Sequence, residues 1–160
     1  MSVSLSYSTQ TPVTDSVRTS ILSAAQQANA QWDWWCESIN FFDMPTSAGR
    51  LHGDTKLFLV GYSTNDGDFV EVDPEHDCIM AWRDAHHILS QLAEWSRQHS
   101  ITWGLESEGG SLGFIRDGVI PEEVLAMLTQ LMEAFGVSPD APDIESRAQQ
   151  ILHQYANRNA

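Results

Sequence analysis

Six histidines and twenty-two acids are the side chains of this chain that could do acid–base or metal chemistry. His76, Asp77, His86 and His87 lie near one another, with His52 and Asp54 upstream in a stretch, 43–55, that carries Pro45, Gly49 and Gly53 and no clear periodicity. Neutral imidazole is a common metal ligand and titrates near neutrality, so such residues could hold zinc or serve as a general base. The spacing argues against a purely local site. On one helix His86 and His87 diverge by about 100°, and His76 lies about 15 Å away along the axis. A ligand or metal pocket therefore requires the fold to bring His52 or Asp54 to His86 or His87. No resident metal and no cofactor are expected.

The other local motifs fall short of a recognisable chemistry. Asn65-Asp66-Gly67-Asp68 offers oxygen ligands but lacks the twelve-residue loop and closing glutamate of a calcium site, and reads as a turn. Gly109-Gly110-Ser111-Leu112-Gly113 has exposed amides but no P-loop lysine, and Glu106 and Glu108 beside it would repel phosphate. Gly61 to Ser63 is not a nucleophile elbow. Cys36 and Cys78 are neither C-x-x-C nor a disulfide framework, which suits two buried free thiols in a reducing cytoplasm.

Two features point to recognition instead. Asp66, Asp68, Glu71, Asp73, Glu75 and Asp77 place six acids in twelve residues with no lysine or arginine among them. If Val70 and Val72 face the core, strand alternation sends Glu71 and Asp73 to solvent together. Trp32, Trp34 and Trp35 crowd three large rings into four positions, and in extended chain Trp34 and Trp35 point to opposite faces. The expected partner-binding residues are thus Trp34, Trp35, Asp66, Asp68, Glu71, Asp73 and Glu75.

These side chains must be positioned by ordinary elements. Val3, Leu5 and Tyr7 alternate with serines as in a half-buried strand, and Thr14 or Asp15 can cap a helix to about residue 30. Strands are expected over 38–42, 56–62 and 68–72, the last two joined by an Asn/Asp/Gly turn. A long helix follows over 75–99, with Trp82, Leu89 and Leu92 on its core stripe. A second hairpin spans 101–107 and 111–116, and helices over 121–135 and 143–157 complete the chain. Because hairpins outnumber β-α-β units, the expectation is a single two-layer α+β domain. Its largely antiparallel sheet has five to six strands, with three to four helices mainly on one face.

Composition bounds the function. The 160 residues are 42% hydrophobic, enough for an ordinary core, and the formal charge is −14. Lys56 is the only lysine. Such a field repels nucleic acid and anionic lipid and favours encounter with a cationic partner. No window approaches the roughly 18 apolar residues of a membrane span, and residues 1–10 lack a basic stretch followed by an apolar run. The expectation is a cytoplasmic acidic interaction module that neutralises a basic protein partner. Acidic toxin-immunity proteins work this way, and the analogy is one of composition. The alternative is a small-ligand-binding protein or hydrolytic enzyme with its pocket near 43–55, using His52, Asp54 and His86 or His87.

Overall fold

Serines and large side chains alternate over β1 (Ser4–Thr9), and the strand buries Leu5, Tyr7 and Thr9 while Ser4, Ser6 and Ser8 stay half-exposed. The computed structural model describes residues 3–43, 47–57, 61–140 and 142–155. In it β1 is the central strand of a five-stranded sheet, flanked by β3 (His52–Lys56) and β6 (Trp103–Ser107), with β2 (Phe41–Phe42) and β7 (Gly110–Ile115) at the edges. Every ladder is antiparallel. Tyr7 stands opposite Gly53 and Leu105, and its ring crosses Gly53, where a Cβ would strike the ring and come 2.6 Å from the Asn40 carbonyl. The Tyr7 hydroxyl shares a 2.9 Å hydrogen bond with Thr55 Oγ1 and accepts one from the Asn40 amide, and burial pushes the phenol up to about 12.

A separate two-stranded sheet, β4 (Gly61–Ser63) with β5 (Phe69–Glu71), precedes the long helix α2 (Pro74–His99). Asp73 caps that helix by accepting the Glu75 amide at 2.9 Å, and Pro74 occupies the first turn, where no N–H is needed. Helices α1 (Asp15–Gln31), α3 (Glu122–Ala134) and α4 (Ile144–Gln154) join α2 in supplying side chains to one core with the sheet. The α+β architecture with helices and a mainly antiparallel sheet is thus the one expected from the pattern.

The differences are local. Over 38–42 only Phe41–Phe42 join the ladder, because the Ile39 amide is taken by the Asn29 side chain and the Asn40 amide by the Tyr7 hydroxyl. The irregular 43–55 stretch ends at Leu51, since His52 to Lys56 pair with β1. The expected strand over 56–62 divides between the two sheets, with residues 58–60 outside the described residues. Leu89 and Leu92 are fully buried, but Trp82 is only half-buried: it borders a groove between α2 and α4 rather than the sheet. The last helix stops at Gln154, and 156–160 lie outside the described residues.

Candidate functional site

Helix α2 carries Asp77 and Asp84 two turns apart, and both carboxylates are buried. They are the anchors of the tryptophan segment that follows α1. Asp84 Oδ1 accepts from the Trp32 indole N–H at 3.0 Å and from Arg83 at 2.8 Å. Its Oδ2 accepts from the backbone amides of Trp35 at 2.8 Å and Cys36 at 2.7 Å. Burial pushes the Asp84 carboxyl up, and these four donors oppose that by favouring the charged, acceptor-only form. Asp77 Oδ1 accepts the Trp35 indole N–H at 2.7 Å.

This network revises the expectation for the tryptophans. Trp35 is 3% exposed and packs edge-on against Tyr155, so it is a core residue and not an anchor for a partner. Trp34 is half-buried, donates its N–H to the Asn29 carbonyl at 3.2 Å and sits edge-on to Trp32 and His87. Trp32 stacks on His87 with centroids 3.8 Å apart and planes 3° off parallel, and the Arg83 guanidinium lies 4.0 Å over its ring. Sequence reasoning missed Asp84 altogether and placed Asp77 in the surface acidic run. The available signal was a carboxylate at two positions of an otherwise apolar helical stripe, seven residues apart.

The histidine constellation does not form. His52 and Asp54 point to the sheet face that also carries Ser6 and Ser8, where Ser6 donates to Asp54 at 2.8 Å. That face is opposite to the one bearing Tyr7 and Thr55, which packs into the core. His86 and His87 are on α2, and the described residues contain no cluster of His, Cys, Asp and Glu able to hold a metal ion. The pocket expected near 43–55 falls partly on residues 44–46, outside the described residues. Pairing draws His52 to Lys56 into the sheet, and Leu51 is tied to Thr9 by hydrogen bonds in both directions. A groove of about 640 Å³ lies between α2 and α4, with His86 and His87 on its wall. Burial lowers the pKa of both imidazoles, which favours their neutral form.

Both thiols are buried and engaged elsewhere: Cys36 donates to the Leu57 carbonyl at 2.7 Å, and Cys78 faces the Leu131 carbonyl and Met132. Burial raises Cys78 to about 11 and Cys36 well above its usual value, so neither is a thiolate nucleophile at neutral pH.

The acidic run keeps a surface character, in reduced form. The turn closes through Thr64, whose amide donates to the Asp68 carbonyl, and through Gly67 at φ 86°, as a turn and not an ion loop. Asp66, Asp68, Glu71 and Asp73 are exposed, and none of the four is in an ion pair among the described residues. Glu75 pairs with Arg147 of α4, and Asp77 turns inward. Val72 is buried, while Tyr62 and Val70 are half-buried against the core. The same alternation presents Phe69 beside Glu71 on the outer face, where it is 66% exposed. Phe69 was legible by the rule that sent Glu71 outwards, but an aromatic is read as core by default.

No protein-family model, no curated protein and no solved structure matches this chain. Among the described residues no helix is long and apolar enough to cross a membrane.

Proposed function

We propose that this protein is an acidic interaction module whose β4–β5 hairpin docks a basic protein partner. The observation that carries the reading is Phe69, a large aromatic side chain held 66% exposed between Asp66, Asp68, Glu71 and Asp73. Leaving two thirds of a phenylalanine in water forgoes about 1 to 2 kcal/mol of burial, and a partner that covers it recovers that term. Carboxylates around such an anchor steer a cationic surface to it and raise the association rate, while the buried ring governs dissociation. The overall charge of −14 acts in the same sense at longer range. Neutralisation of a basic toxin, in the manner of an immunity protein, is the particular form that this composition favours.

The kinetic split tests it on a purified complex. Phe69→Ala should speed dissociation by about tenfold or more, as a hot-spot residue does. Glu71→Gln with Asp73→Asn should slow association and flatten its salt dependence, with dissociation little changed. Asparagine is chosen at 73 because it preserves the α2 cap. Wild-type rates in both variants would place the interface elsewhere.

A further inference from the structure

We propose that the groove between α2 and α4 is a binding site for a planar heteroaromatic molecule without negative charge, of about purine or indole size. The inference stands independently of the hairpin. A volume of about 640 Å³ is within the range of small-molecule sites. Its floor is apolar, made by the buried Ile79, Ile144 and Ala148. Trp32, from the segment after α1, borders the groove with its faces already covered by His87 and Arg83, and the α2 wall offers the half-buried Trp82 with His86 tilted against it at 4.5 Å. Flat rings of this kind gain most from covering another flat ring.

Charge selects against an anion. Arg83 borders the groove, but its guanidinium is committed to Asp84, to the Asp33 carbonyl and to the Trp32 face, which leaves it a poor anchor for an anion. Glu145, in the first turn of α4, and the net charge of −14 further oppose one. The remaining polar groups are the two imidazoles, the Ser90 and Ser146 hydroxyls and the Gln149 amide. These can satisfy the edge donors and acceptors of a heterocycle without requiring charge.

The test titrates the full chain with adenine, indole and adenosine monophosphate while following the Trp32 and Trp82 indole N–H resonances by NMR. A saturable shift of both resonances with adenine or indole is expected, with adenosine monophosphate at least tenfold weaker than adenine. Ser146→Phe and Gln149→Phe change exposed positions and fill the groove. Each should lower the affinity at least tenfold with an unchanged melting temperature, and Phe69→Ala should leave it unaltered. Absence of saturable shifts with both neutral probes, equal affinity in both groove-filling variants, or tighter binding of the nucleotide than of the base would overturn the proposal.

Discussion

The ring of Phe69 lies across Gly61 on the neighbouring strand, and a Cβ at position 61 would run into that ring and come 2.6 Å from the Val70 carbonyl oxygen. The glycine is what lets the exposed aromatic rest against the neighbouring strand of its own hairpin. Gly61→Ala should therefore displace Phe69 and weaken partner binding nearly as much as Phe69→Ala does. Comparing both variants with wild type in the same binding assay checks this. Wild-type affinity for Gly61→Ala would show that the position of the ring is irrelevant to binding.

Asp84 is fully buried and receives four donors, two of them backbone amides of the tryptophan segment. Removing it strands the Trp32 indole N–H and both amides and takes the counter-charge from Arg83. Asp84→Ala should cost about 3 to 5 kcal/mol, as loss of one partner from a buried charged network does. Asp84→Asn should be milder but still destabilising, since its NH2 group would face N–H donors. Denaturant unfolding gives both values, and a cost below about 1 kcal/mol for the alanine variant would contradict the anchoring role.

Burial lowers the pKa of His52, His86 and His87 from the ordinary 6.5. The folded state then binds fewer protons than the unfolded state, so this contribution is fully present above about 6.5 and is lost as pH falls through the lowered folded values. Acidification also relieves repulsion among the excess carboxylates, which acts in the opposite direction. The histidine part is thus read as a difference. The gap in urea midpoint between wild type and His86→Gln/His87→Gln should shift against wild type between pH 7.5 and pH 5, and a pH-independent gap would refute the assignment.

Much of this fold was readable because its strands and helices have strong periods. The Ser/Leu/Ser/Tyr alternation of β1, the Asn/Asp/Gly turn before β5 and the apolar stripe through Leu89 and Leu92 each specify one local structure. The errors arise where tertiary contacts overrule local pattern. Ile39 and Asn40 have strand-like neighbours, yet Asn29 and Tyr7 take their amides. Trp35 is buried because Asp77, distant in sequence, supplies a partner for its N–H, and no local rule reveals that pairing. His52 and His86 lie on opposite sides of an arrangement that spacing alone does not encode. The acidic hairpin was legible as charge, and its aromatic centre followed from alternation that had been applied only to the acids.

Affinity capture from the source cell, run in parallel with wild type and with Phe69→Ser/Glu71→Lys, addresses the proposed docking surface most directly. Both substitutions lie on the exposed face of β5, so the variant should melt with wild type. The expected result is a basic protein retained by wild type in stoichiometric amount, released steeply by salt, and absent from the variant. Retention of the same protein by both forms, or a partner whose binding is insensitive to salt, would contradict the hairpin as the docking surface.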